Sequence, residues 1–307
     1  MKHRRAFTLL ELLVVIAIIA ILAALLLPVL SRAKQRAQGV QCLNNGKQMM
    51  TAIFLYTGEN NEFFPPNPDD GNIIPGYNWC SGQAGVEPDG TPQPQEFDPD
   101  VIKDPKLSLL INYLGGNVSI FRCPADMRQG TYQGTDPALI GHIVPAARTF
   151  SMNQAVGTID PGYDQVPPPY GHHSGVPNLS VNGPWLDSQD GNHRNSPWYT
   201  YGKTTDIHAP SPSSLWVLVD EDAQGLNDAA FAFGMQEAGW IDAPGVYHNG
   251  GCGFAFADGH SETHSWLSKG EKQSQSGVAS TADYQDWLWM QQRTSADSTG
   301  IMKTPPP

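Results

Sequence analysis

The sequence predicts an α+β protein: one long N-terminal helix, membrane-spanning in its first half, packed on a mainly antiparallel β-sheet with large loop insertions. Three observations carry this. Residues 7–30 are apolar apart from Thr8, Glu11 and a proline at 28, and apolar residues continue beyond them at helical spacing. Asp258-Gly259 stands between two alternating runs, the mark of a two-residue hairpin. Gly (31) and Pro (26) together make roughly a fifth of the 307 residues, which predicts many turns rather than a helical bundle.

The helix is read first. Residues 12–27 are sixteen uninterrupted apolar residues, and 7–30 as a helix would extend about 36 Å, enough to cross a bilayer. No proline occurs between Pro28 and Pro65, and Ala33, Ala37, Val40, Leu43, Met50, Ile53 and Phe54 keep mostly helical spacing. One helix is therefore expected from about Phe7 to Thr57, kinked at Pro28 and stopped near Gly58, with a length of about 77 Å. Its first half suits lipid or the packed core of an assembly, its second half a sheet.

The body follows from the turn at Phe63-Phe64-Pro65-Pro66. Residues 65–105 read as a structured loop region, 107–114 as a short helix ended by Gly115-Gly116, and 118–122 and 148–152 as strands. Residues 157–203, with Pro167-Pro168-Pro169, His172-His173 and two tryptophans, are the least regular part. The apolar run 215–219 is the clearest buried strand, and it ends in Asp220-Glu221-Asp222. A two-residue Asp258-Gly259 turn would pair Ala257 with His260, Ala255 with Glu262 and Gly253 with His264. That register sets His260, Glu262 and His264 beside small residues and sends Phe254 and Phe256 to the other face. After Ser268 the chain is polar, with Trp287 and Trp289 its obvious packing residues. The expected divisions are 1–6, 7–30, 31–58, a body over 59–270 with its insertion at 157–203, and a polar tail over 271–307.

Charge excludes one class of partner. The first 36 residues hold six of the 18 bases and one of the 30 acids, which leaves a net of −17 on the remainder. Phosphate backbones would repel such a body, so nucleic acid is not an expected partner. Cys42, Cys80, Cys123 and Cys252 lie far apart without C-x-x-C spacing, which speaks against a zinc ribbon or a thioredoxin-like motif. Outside the cytoplasm they allow up to two disulfides in three full pairings.

The N-terminus is the most specific segment. Glu11 is a carboxylate near the edge of a membrane-spanning run, where such a group generally has a task or a partner. It lies four residues after Phe7 in Phe7-Thr8-Leu9-Leu10-Glu11, behind Arg4-Arg5-Ala6. This resembles the prepilin cleavage and methylation motif, with Ala6 in place of the commoner glycine. The resemblance implies a pilin-like fold, cleavage between Ala6 and Phe7 by a prepilin peptidase/methyltransferase, and N-methylation of Phe7. It further implies that Glu11 meets the new amine of a neighbouring subunit and that Pro28 is the kinking proline of pilin helices. Bases flank the helix equally on both sides, so the charge rule does not orient it. The resemblance places the N-terminus in the cytoplasm of a bacterium, the single span in the inner membrane and the body outside, with a filament after assembly.

Near the C-terminus, Tyr247-His248-Asn249-Gly250-Gly251 and Phe256-Ala257-Asp258-Gly259-His260 resemble the His-x9-Asp-Gly signature of a large bacterial family that carries prepilin-type leaders. Cys42-Leu43-Asn44-Asn45, Phe121-Arg122-Cys123-Pro124-Ala125-Asp126 and Val219-Asp220-Glu221 resemble the same family. Type II secretion pseudopilins hold a structural calcium, and Asp220, Glu221, Asp222 and Asp258 would supply the oxygen ligands it prefers. His248, His260 and His264 with Glu262 form the alternative, a transition-metal set. The simpler expectation has no metal: Asp258-Gly259 makes the turn and the other residues form a polar strand face.

The expected function is a structural subunit of a type II secretion pseudopilus or related type IV pilus-like filament, assembled with other pilin-like subunits by an inner-membrane platform. The alternative is a minor tip subunit or adhesin that binds an extracellular ligand or glycan through 157–203. An enzyme is not expected, because a hydrolase built on His248 and Asp258 finds no G-x-S-x-G or H-E-x-x-H to supply its chemistry.

Overall fold

The computed structural model describes residues 9–69, 75–87, 89–159, 179–270 and 272–298. Ala6 and Phe7, Pro167-Pro168-Pro169 and His172-His173 lie outside the described residues. Helix α1 spans Leu9–Glu59, 51 residues through Pro28 without a break. Apolar side chains such as Leu13, Ile19, Leu26 and Leu30 are exposed along its first half. That half is long and apolar enough to cross a membrane. The second half is amphipathic: Cys42, Met49, Met50, Ala52 and Ile53 are buried while Val40 and Leu55 stay exposed.

The connection to the sheet contains a short helix α2 (Asp100–Lys103) and two 3-10 turns, Leu109–Leu114 and Val118–Phe121. Gly115, at φ 62°, ends the first in the left-handed conformation that glycine adopts without strain. The second replaces the strand expected over 118–122. Asn117 accepts the Ser119 N–H at 3.1 Å, and this local bond curls the chain before a strand can extend.

Strands follow as β1 (Gln129–Thr131), β2 (Ile143–Pro145), β3 (Phe150–Asn153), β4 (Thr158–Ile159) and β5 (Leu179–Ser180). After them come β6 (Trp216–Asp220), β7 (Ala230–Phe231), β8 (Gly239–Trp240), β9 (Gly251–Phe256), β10 (Ser261–Ser265), β11 (Ser276–Gly277) and helix α3 (Thr281–Thr294). Five strands form the main sheet in the order β10-β9-β6-β3-β7, antiparallel except for β3 beside β7. Central β6, Trp-Val-Leu-Val-Asp, is buried throughout, as an apolar strand covered on both faces should be.

Alternation along β9, Gly-Cys-Gly-Phe-Ala-Phe, gives the sheet two unlike faces. Gly251, Gly253 and Ala255 form a shallow face on which α1 lies. A Cβ placed on Gly46 of α1 would stand 3.3 Å from the Ala255 Cβ and 3.1 Å from the Ser261 Oγ. Phe254 and Phe256 face the other way. Phe254 packs edge-on against Trp216, Trp266 and Trp289 of α3, at 6.0, 6.0 and 5.1 Å between ring centroids. The result is a helix–sheet–helix sandwich.

The hairpin register differs from the expected one by one residue. Ser261 pairs with Ala255, Glu262 with Phe254 and His264 with Cys252. The loop is three residues long: the Phe256 N–H donates to the His260 carbonyl at 2.9 Å, and Gly259 takes φ 91°. A left-handed third residue is the usual form of such a loop. Because side chains alternate, one residue of slip moves a whole set to the opposite face. His260 accordingly stacks on Phe256 at 4.3 Å and His264 on Trp289 at 3.7 Å, rather than lying beside small residues.

The segment expected as a polar tail, 271–307, instead contains β11 and α3. The Ser280 hydroxyl caps α3 by accepting the Asp283 N–H, and Trp287, Met290 and Thr294 are buried at helical spacing. Lys272, almost fully buried, holds Asp283 and Asp286 at 2.9 and 3.0 Å and lies 4.7 Å from the Trp240 ring centre. Within the 157–203 insertion, Leu186, Trp198 and Tyr201 are buried in the body.

Close approach at Gly46 leads to a direct expectation. Overpacking costs about 1–3 kcal/mol, against about 1 kcal/mol gained by removing a helical glycine. Gly46→Leu, too large for the neighbouring strands to accommodate, should therefore lower the Tm of the full chain in detergent. An equal or higher Tm would show that α1 does not lie this close.

Candidate functional site

The segment of the expected processing site is described only from Leu9 onward, already within α1. Glu11 and Pro28 both lie within that helix.

The motif residues of the body converge on one place. Cys42 projects from α1, Cys123 follows the second 3-10 turn, Asp220 ends β6, and His248 stands in the turn that leads into β9. Their ligating atoms all lie within 4.8 Å of one another, and among the described residues this is the one grouping of three or more such side chains. The Cys42 Sγ donates to Asp220 Oδ2 at 3.1 Å and approaches Oδ1 at 3.4 Å. His248 Nε2 lies 3.1 Å from the same Oδ2 and 3.4 Å from the Cys123 Sγ. The Gly253 N–H donates to Oδ2 at 3.1 Å.

Local structure explains each position. Cys123 is seated by its own N–H, which donates to the Thr149 hydroxyl at 3.2 Å, and that hydroxyl donates to Asp126 at 3.0 Å. Asp126 in turn pairs with Arg128 at 2.8 Å. From α1, Asn45 donates to the Arg122 carbonyl at 3.0 Å and Gln38 to the Pro124 carbonyl at 2.7 Å. The Cys123 loop is thus tied to the helix on both sides of the cysteine. His248 is held in a turn whose next two residues, Asn249 and Gly250, have positive φ. Its N–H donates to the Gly251 carbonyl at 3.1 Å.

The nine-residue spacing between His248 and Asp258 has a structural meaning. It contains one turn, the whole of β9 and the first residue of the hairpin loop. Six strand residues extend roughly 20 Å, so the two ends of the signature sit at opposite ends of one strand. His248 pairs with Asp220, while Asp258 accepts the His260 N–H in the loop. The carboxylates considered for calcium are likewise not gathered: Asp220 faces α1, Asp258 lies in the hairpin loop, and Glu221 turns away toward Arg148 and Asp242. Asp222 accepts the Gln224 N–H in the following turn. Of the histidine set, only His248 belongs to the cluster.

All four cysteines are free and buried. Burial pushes the Cys42 thiol well up, and the Cys123 sulfur and Asp220 carboxylate add to this. The hydrogen bond from Cys42 holds the Cys123 thiol below its ordinary value, against burial and with help from His248. Burial alone would lower the His248 pKa, but Asp220 and Cys123 outweigh it and push it up to about 10. The Cys252 thiol donates to the Asp220 carbonyl at 3.0 Å and is pushed up by burial.

A family model described as the prokaryotic N-terminal methylation motif matches residues 1–27. No curated protein and no solved structure matches the chain. The motif leads into one long helix docked on a mainly antiparallel sheet, a pilin-like α+β arrangement, and the motif itself supports processing by a prepilin peptidase. Its first helix half fits a single-pass membrane anchor.

A pH dependence follows from the carboxyls behind the sheet. Burial pushes Asp242 up to about 8, against the Ala232 N–H that donates to it, and burial also raises Glu221. A carboxyl with a raised folded pKa binds more protons folded than unfolded, so stability falls as pH rises from about 4 to about 8. Between about pH 5 and 6 Asp242 and Glu221 both lower the Tm as pH rises, against the opposing contribution of His264, which burial pushes down to about 4, so the Tm should still decline with pH. Asp242→Asn, which keeps an acceptor for Ala232, should flatten that decline, and identical slopes would contradict this origin.

Proposed function

We propose that the chain is a structural subunit of a type II secretion pseudopilus or related type IV pilus-like filament. The observation that carries this reading is the match over residues 1–27 continuing into a helix whose first half exposes apolar side chains on every side. Such a surface needs lipid before assembly and neighbouring helices afterwards. Cleavage after Ala6 frees the Phe7 amine for methylation, and Glu11 sets the axial register by meeting the amine of an adjacent subunit. The work is assembly, driven by an inner-membrane platform, and the body is what the filament presents. Burial of Leu186, Trp198 and Tyr201 favours this over the adhesin reading, since those side chains of the 157–203 insertion serve the body's own packing.

Mass spectrometry of the chain from its native membrane tests the proposal. An N-terminus at methylated Phe7 is expected, and Glu11→Ala should be processed equally well yet be lost from sheared or cross-linked assemblies. A chain beginning at Met1, or normal incorporation of the Glu11 variant, would overturn it.

A further inference from the structure

We propose that Cys42, Cys123, Asp220 and His248 bind one zinc-class transition-metal ion that fastens α1 to the sheet. The proposal does not depend on the filament reading. The donor set comes first: two sulfurs, one imidazole nitrogen and one carboxylate suit a borderline-soft, four-coordinate ion such as zinc(II). Four protein ligands make a closed, structural site rather than a catalytic one with an open position.

Geometry agrees with the chemistry. Bonds of about 2.0–2.3 Å in a tetrahedron place neighbouring ligand atoms about 3.3–3.8 Å apart. Here the separations are 3.1 Å from Cys42 Sγ to Asp220 Oδ2, 3.1 Å from that oxygen to His248 Nε2, and 3.4 Å from Nε2 to Cys123 Sγ. These three separations lie within tenths of an ångström of that range, and all four atoms lie within 4.8 Å of one another, so closing on one ion takes shifts of about an ångström or less. One detail separates this from a nucleophile relay. In a relay the imidazole uses its two nitrogens for two partners. Here a single nitrogen, Nε2, faces both the sulfur and the carboxylate, as donors do when they converge on a common centre.

The surroundings are shaped for the cluster. A Cβ on Gly253 would fall 2.8 Å from Asp220 Oδ2 and 3.1 Å from Cys42 Sγ, so glycine alone leaves this space. The Gly253 N–H orients the carboxylate, the kind of outer contact that tunes a metal ligand. Cys42, Cys123 and Asp220 are buried and the His248 side chain is 6% exposed. A divalent cation would bind here by displacing the thiol protons and any proton on the imidazole. The ligands come from α1, from the Cys123 loop, from the end of β6 and from the turn that leads into β9, so one ion would join helix and sheet where they meet. Cys252, whose sulfur donates to backbone carbonyls, stands outside the ligand set.

The competing occupant of this space is a Cys42–Cys123 disulfide, which would leave Asp220 and His248 as a simple ion pair. To separate them, the full chain is purified in detergent without chelator and its metal content measured by elemental mass spectrometry. About one zinc per chain is expected. Cys42→Ser and His248→Gln should each lower zinc affinity at least about tenfold, while Cys252→Ser leaves it unchanged. Because a ligand variant can fail to fold, the wild-type chain is also stripped and titrated with cobalt(II). Sulfur-to-cobalt charge-transfer absorption and loss of thiol reactivity at Cys42 and Cys123 are expected. The proposal is overturned by a metal-free chain with both thiols free, or by a Cys42–Cys123 disulfide in protein from its membrane. It is equally overturned by ligand variants that hold zinc as the wild type does, or by cobalt binding without charge transfer.

Discussion

The close docking of α1 on the shallow face of β9 and β10 is the contact on which the remaining architecture depends. A helix can approach a sheet this nearly only where both surfaces are small, and Gly46, Gly253, Ala255 and Ser261 provide that. The second half of α1 buries Met49, Met50 and Ile53 in the same contact. Because the helix is continuous, fixing its second half also fixes the direction in which its apolar first half leaves the body. The membrane-facing element and the globular element are thereby one mechanical unit.

The same small-residue face explains why the polar cluster is placed where it is. Room beside Gly253 lets Asp220 and Cys42 meet between helix and strand, and the bonds from Asn45 and Gln38 bring the Cys123 loop to that seam. The opposite face carries the bulk. Phe254, Trp216, Trp266 and Trp289 fill the space between the sheet and α3, with His264 stacked among them and pushed down to about 4 by burial. One strand of six residues thus separates a polar seam from an aromatic core, by alternation alone.

Much of this was legible in the sequence. The helix expected over 7–57 is present from Leu9, the first described residue, to Glu59, two residues past its expected end, because an unbroken apolar run followed by helical periodicity has few other solutions. The short helix before Gly115-Gly116, the strand at 215–219 and the C-terminal hairpin were also legible, each carried by strong local chemistry. The hairpin register was not. Asp-Gly signals a two-residue turn, but the left-handed Gly259 closes a three-residue loop, and a built Cβ there would stand 2.9 Å from the Phe54 ring of α1. Tertiary packing decided that register. Helix α3 was hidden by its polar average, although Ser280 with Asp283 three residues on marks an N-cap and Trp287, Met290 and Thr294 keep the helical period. Each of the four cluster residues lies in a motif legible in the sequence, but nothing local ties those motifs together: Cys42 and Asp220 are 178 residues apart, Cys123 and His248 125, and only the fold unites them.

Whether helix and sheet form one cooperative unit can be measured by hydrogen exchange on the full chain in detergent. The account predicts that amides of 42–53 exchange as slowly as those of β6 and β9, and that all of them are released in a single transition as denaturant rises. Exchange of 42–53 well ahead of the sheet, with the sheet still protected, would mean that the two are independent and would contradict the account.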